Sequence, residues 1–166
     1  AETAGFCFGV DRAVSLVQGA VDQGKRVCTL GPIIHNPQLV EELEQKGVRI
    51  VNSPEEVLEG ETLVIRSHGV EQAVFDKAQE LGIEIADATC PFVKRIHGIV
   101  SNAEAEGRLP VIIGTRTHPE VEGIAGWCDT CQVFETPEEL ENWAKTVEDP
   151  ATFPVSMVCQ TTSTES

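Results

Sequence analysis

The sequence contains no apolar run long enough to span a bilayer, which excludes a membrane-spanning helix as its organising element. The first residues, Ala1-Glu-Thr-Ala-Gly-Phe6, lack the basic and apolar regions of a signal peptide. No starting methionine stands there either, so the front of the chain is expected to be missing. Basic residues are scarce: 12 Lys and Arg face 27 Asp and Glu, a net charge of −15. That balance argues against nucleic acid and anionic membrane as partners. An anionic ligand would have to be held by local histidines and helix N-termini against the global field. No glycine-rich phosphate loop or dinucleotide fingerprint is present, which weighs against nucleotide hydrolysis and NAD(P) binding. Cys128-Asp-Thr-Cys131 has no second pair at zinc-site spacing, so a zinc or thiol-binding domain stands only as an alternative. There is no low-complexity segment and no Pro/Gly/Ser linker.

What remains can fold. At 41% hydrophobic and 23% charged, 166 residues can bury a core, as one ordinary domain or two small ones. Six cysteines without a secretion signal point to metal or redox chemistry rather than a disulfide framework. The chain also repeats itself. A shift of 83 residues places Cys7 on Cys90, His35 on His118 and Pro54-Glu-Glu56 on Pro137-Glu-Glu139. The same shift carries Val10, Arg12, Val17, Ala20, Gly24 and Gly31 onto Val93, Arg95, Val100, Ala103, Gly107 and Gly114. A period this long marks a repeated small domain.

Within each repeat, helices and strands alternate. Val10, Ala13, Val14, Val17 and Val21 follow the spacing of one buried helical face, predicting a helix from Gly9 to Gly24. Strands are expected at 26–30, 48–51, 62–66 and 83–86. Helices are expected from Asn36-Pro37 to Lys46, from Ser53-Pro54, and from Glu71 to Leu81. The second repeat predicts helices at 91–106, from Pro119 and from Pro137 to about Val147, with strands at 109–114, 131–134 and 155–159. The fold class is therefore α/β: two tandem, repeat-related domains, 1–88 and 89–166, with mostly parallel sheets flanked by helices. Thr161 is matched to His68, ten residues late, with the insertion around Val147 to Pro154. A third repeat would place its cysteine beyond Ser166, so the chain is also expected to be cut short at its end.

Cys7, His35, His68, Cys90, His118 and Thr161 all fall in turns after strands. In an open parallel sheet those turns share one edge, where ligands bind. Cys7 and Cys90 each precede a helix, whose N-terminus favours the thiolate that metals need. Three such thiolates with one open iron position would suit an iron–sulfur cluster that does chemistry. Each could instead be a small buried thiol, but their matched positions favour a shared role. His35, His68 and His118, beside backbone N–H donors, would make a phosphate or diphosphate cradle if protonated; structural loop histidines are the other reading. Glu120 could donate protons in a polar pocket, or be an ordinary helix N-terminal acid. His97 replaces Val14 on the buried face and is read as structural. Cys28 is read as core, and Cys159 as a strand-end core thiol.

Six motifs resemble one family. They are Gly5-Phe-Cys7-Phe-Gly-Val-Asp-Arg-Ala13, Ile34-His35-Asn36, Ser67-His68-Gly69-Val70, Asp87-Ala-Thr-Cys90-Pro91, Thr117-His118-Pro-Glu120-Val-Glu-Gly123 and Gln160-Thr161-Thr162. In this order they resemble 4-hydroxy-3-methylbut-2-enyl diphosphate reductase, the LytB-type enzyme that ends the non-mevalonate isoprenoid pathway. The resemblance covers the first two of three pseudo-threefold domains, the third being absent from this chain. It implies an oxidoreductase with a 4Fe-4S cluster held by Cys7, Cys90 and a third cysteine that this chain lacks. His35, His68 and His118 would bind the diphosphate, with Thr161 beside the substrate, and Glu120 would deliver protons to the leaving hydroxyl. The products would be isopentenyl and dimethylallyl diphosphates, and ferredoxin or flavodoxin would supply electrons. The setting would be bacterial cytoplasm or plastid stroma. The fragment alone is expected to be inactive. A phosphate- or diphosphate-binding module without redox activity is the other alternative.

Overall fold

The computed structural model describes residues 7–34 and 36–161. The chain divides into two compact units, Ala1–Pro91 and Phe92–Ser166. The first runs α1 (Phe8–Asp22), β1 (Arg26–Leu30), α2 (Pro37–Gln45), β2 (Arg49–Val51), a 3-10 turn (Pro54–Glu56), β3 (Glu61–Ile65), α3 (Gln72–Glu80) and β4 (Glu84–Asp87). Its four strands lie in the order β2-β1-β3-β4, every pair parallel. The second runs α4 (Pro91–Ala105), β5 (Leu109–Ile113), α5 (Pro119–Ala125), β6 (Gln132–Phe134), α6 (Pro137–Ala144) and β7 (Val155–Cys159). Its order is β6-β5-β7, again all parallel. Both sheets thus have the α/β form that alternating strand and helix patterns require.

Alternation along each strand sorts the core into two faces. On one face of the first sheet, Val27, Val64 and Ala86 meet Ala13, Val14 and Val17 of α1 and Leu43 of α2. On the other, Cys28, Leu30, Leu63 and Ile65 meet Val74, Phe75 and Ala78 of α3. Cys28 is fully buried, as its mid-strand position predicts. Each wholly buried valine or leucine here contributes roughly 1.5–3 kcal/mol. In the second unit Ile112, Val133 and Val158 pack on Val100 of α4 and Val121 and Ile124 of α5. His97 sits in this layer, 3% exposed and stacked on Trp127 at 4.9 Å, so its structural reading holds.

The 83-residue register is carried by the backbone. α1, β1 and β2 coincide end for end with α4, β5 and β6 at that offset. The third strand corrects the sequence reading. Leu109 lies 83 positions after Arg26, but its ladder partner Val155 lies 94 after Glu61, the partner of Arg26. The insertion is therefore eleven residues, and Thr161 matches Ser67 rather than His68. Cys159 is also not a core thiol. It is exposed, because in β7 only Val158 points into the packed layer.

Candidate functional site

Strand exits build the site within each unit. In the first, the ladder between β3 and β4 continues past both strands: Ala88 N donates to Ile65 O at 3.1 Å and Cys90 N to Ser67 O at 2.9 Å. Those bonds lay the Ser67-His68-Gly69 turn alongside Cys90. Gly69 closes its turn through Gly69 N to Arg66 O at 3.0 Å. On the Cys90 side, the turn is set by Asp87, whose Oδ1 accepts from Thr89 N at 2.9 Å. Arg12 of α1 donates to the carbonyl oxygens of Thr89 and Asp87 at 3.2 and 3.3 Å. The same helix presents its first turn to the thiol: a Cβ built on Gly9 would lie 3.0 Å from Cys90 Sγ. Cys7 is the N-cap residue of that turn and is exposed, while Cys90 is half-buried.

The first unit thus brings together the N-terminus of α1, Cys90 and the His68 turn. His35 lies outside the described residues. Both thiols are free. Soft sulfur donors at helix N-termini, with a glycine keeping the approach clear, fit two corners of an iron–sulfur group. Two thiols are not a complete ligand set, and no group of three or more metal-ligating side chains occurs among the described residues.

In the second unit, His118, Glu120 and Thr161 come together at the exits of β5 and β7. His118 is the N-cap of α5, and its Nδ1 accepts from Glu120 N at 3.1 Å. An accepting Nδ1 carries no proton, so here the ring's proton belongs on Nε2. Glu120 is 1% exposed and is no ordinary helix N-terminal acid. Its Oε1 accepts from Thr161 N at 2.6 Å and its Oε2 from Thr161 Oγ1 at 2.9 Å. Thr161 itself is exposed. A buried carboxyl gripped by an exposed hydroxyl residue can pass a proton between the interior and a ligand at the surface.

Two further residues shape this edge; the sequence placed Gln160 in a motif and Gly114 in the repeat register without giving either a role. Gln160 is buried, its Oε1 accepting from Thr115 N at 3.1 Å and its N donating to Ile113 O at 2.9 Å. Gly114 makes room for it: a Cβ there would come within 2.8 Å of Gln160 Oε1 and of Val121 Cγ2. In the first unit Gly31 plays the matching part toward Arg66, whose Nη1 would lie 2.6 Å from an added Cβ. The signal was a glycine after the first strand of both repeats. At the opposite edge of the first sheet, a cleft of about 490 Å³ is lined by Leu58, Glu59, Glu61, Leu81 and Glu84. It contains none of the predicted site residues.

Comparison with known proteins agrees with the motif order. A family model described as LytB protein matches residues 1–166. A 4-hydroxy-3-methylbut-2-enyl diphosphate reductase of Caldanaerobacter subterraneus subsp. tengcongensis is 46% identical over 147 residues, covering 86% of this chain and 51% of that protein. The reductase of Aquifex aeolicus is 41% identical, covering 99% of this chain and 56% of its own. A solved structure of (E)-4-hydroxy-3-methyl-but-2-enyl diphosphate reductase, the terminal enzyme of the non-mevalonate pathway, is 42% identical with a TM-score of 0.81. It is matched over 99% of this chain and 58% of that one. The E-1-hydroxy-2-methyl-but-2-enyl-4-diphosphate reductase of Plasmodium falciparum is 26% identical with a TM-score of 0.85, over 97% and 50% of the two chains. The chain spans about half the length of the relatives it matches.

Proposed function

Because the chain belongs to the LytB protein family, we propose that it supplies two repeat domains, 1–88 and 89–166, of a 4-hydroxy-3-methylbut-2-enyl diphosphate reductase. Cys7 and Cys90 would hold a 4Fe-4S cluster together with a third thiolate from outside this sequence. When bound, that cluster supplies electrons one at a time, received from a ferredoxin or flavodoxin. The observation that carries the reading is the placement of two free thiols at the N-termini of matched helices, with the first turn of α1 lying against Cys90.

The chain's own residues then do the rest. His118, with Nδ1 engaged by Glu120 N, offers its Nε2–H to a diphosphate oxygen. His35 and His68 share that task. Glu120 carries a proton to the leaving allylic hydroxyl, and Thr161 holds its carboxyl in position through both oxygens. The C–O bond breaks, two electrons and two protons enter, and water leaves. The remaining carbon skeleton is isopentenyl or dimethylallyl diphosphate. Turnover needs the complete thiolate set. The setting would be the bacterial cytoplasm or the plastid stroma.

Anaerobic reconstitution with iron and sulfide, followed by iron counting and visible absorption, tests the reading. Wild-type chain is expected to take up iron that Cys90→Ser does not. If neither takes up iron, the same test is made with the third thiolate supplied by a chain extended past Ser166; equal uptake by both, or none there either, would leave a phosphate-binding module without redox activity as the better account.

A further inference from the structure

The proposed reaction makes no use of Cys128 and Cys131. Both are half-buried, both are free, and both pack against the hydrophobic layer under α4 and α5. They bracket the turn between α5 and β6, and each thiol shifts the other's proton affinity. Cys128 Sγ also lies 3.5 Å from the Ala125 carbonyl oxygen. One carboxylate pins the turn between them. Glu104 of α4 accepts from Asp129 N at 2.8 Å, from Thr130 N at 2.7 Å and from Thr130 Oγ1 at 2.9 Å. The clamp holds the two residues that join the cysteines. A metal reading fails on ligand number, since the described residues gather no group of three ligating side chains here.

We propose that Cys128 and Cys131 form a thiol–disulfide exchange site that a low-molecular-weight disulfide closes reversibly, with Glu104 holding the turn in closing geometry. The two thiols are unlike. The neighbouring Cys128 side chain brings the Cys131 thiol below its ordinary value, although burial and Glu104 oppose it. The same contact, with burial, raises Cys128. Cys131 is therefore the attacking sulfur. Its sulfur attacks one sulfur of the small disulfide. That S–S bond breaks, a mixed disulfide forms and a small thiolate leaves. Cys128 then loses its proton to solvent, and its sulfur displaces the second small thiolate. The protein gives up two electrons and two protons, and the small disulfide takes them up as two thiols.

The test is an anaerobic titration of the full chain in buffers of varied oxidised-to-reduced glutathione ratio. Samples are acid-quenched, alkylated and mapped by peptide mass spectrometry. A 128–131 link rising along a two-electron curve is expected, with Cys131 alkylated about tenfold or more faster than Cys128 in the reduced chain. Cys128→Ser should trap one glutathione on Cys131, and Cys131→Ser should trap far less on Cys128. The proposal is overturned if the wild-type chain, shown folded by circular dichroism, stays reduced at both positions across all ratios. It is equally overturned if exposed Cys159 takes up the glutathione while both turn thiols remain alkylatable. Neither readout depends on iron, so failure here is distinct from failure of the reductase reading.

Discussion

The two units repeat a backbone and not a chemistry. Helix, first strand and second strand coincide at one offset, so the strand exits arise from the same scaffold. At those exits the first unit carries Cys90, His68 and Arg66, and the second carries His118, Glu120, Gln160 and Thr161. The third strands differ most. All five residues of β3 are buried, because β1 and β4 flank it and helices cover both faces. Among the described residues β7 pairs only with β5, and only its Val158 is buried. Duplication thus preserves hydrogen-bonded register, while the chemistry is set by side chains that register does not constrain.

The largest expected break in this comparison is at Glu61. Its side chain is 3% exposed, bonded to Arg49 at 2.7 Å and accepting from Leu58 N at 2.8 Å, while its counterpart is the exposed Val155. Glu61→Gln should destabilise the first unit by roughly 2–3 kcal/mol in urea unfolding, since it leaves Arg49 and a buried acceptor site mispaired. Hydrogen exchange should quicken in β1 and β3 and stay unchanged in β5; uniform quickening would mean that the units unfold together. The pH dependence follows from the same group. Burial raises its pKa, but the bonds from Leu58 N and Arg49 win and hold it below the ordinary 4.5. A depressed carboxyl stabilises fully above its unfolded value, so this contribution should be intact above about pH 5 and lost as pH falls through the folded pKa.

Next come the paired glycines. Gly114→Ala meets Val121 Cγ2 and both ends of Gln160 within 2.9 Å, and should cost about 1–3 kcal/mol. Gly31→Ala meets mainly the movable end of Arg66, but its φ of +67° adds left-handed strain; about 1 kcal/mol is expected. Thermal unfolding of the two variants ranks them. The reverse order would show that backbone conformation outweighs crowding here.

Much of the scaffold was legible before any coordinates. Apolar spacing located α1, and the repeat carried α1, β1 and β2 onto α4, β5 and β6, because local pattern and burial coincide in the first half of each unit. Legibility ended where neighbours decide. The insertion before β7 was counted from a motif rather than a ladder, which displaced Thr161 by one position. The exposure of Cys159 depends on which strand lies beside β7, a fact absent from its local pattern. Glu120 sat in a position typical of exposed helix acids, and the hydrogen-bond partner that engages its carboxyl lies 41 residues away. The Nδ1 cap of His118 was hidden for a related reason: an imidazole rarely takes the place of Ser or Asp at an N-cap.

The smallest expected effect is the sharpest test of how each unit holds its exit loop. In the first, the Ser67 turn is tied by a backbone bond, Cys90 N to Ser67 O. In the second, the matching Thr161 is tied by a side chain, with Glu120 accepting from both its N–H and its hydroxyl. Thr161→Val keeps the shape and the N–H but strips the hydroxyl from Glu120 Oε2. It should cost about 1 kcal/mol, and Thr161→Ser should restore most of it. Ser67→Ala, which leaves its backbone bond in place, should cost less than Thr161→Val. If the two losses are equal, the carboxyl does not discriminate the hydroxyl, and Thr161 positions Glu120 only through its backbone. If Thr161→Val costs more and Thr161→Ser recovers it, the hydroxyl is what orients the buried acid, and the second unit has replaced a backbone tie with a side-chain one.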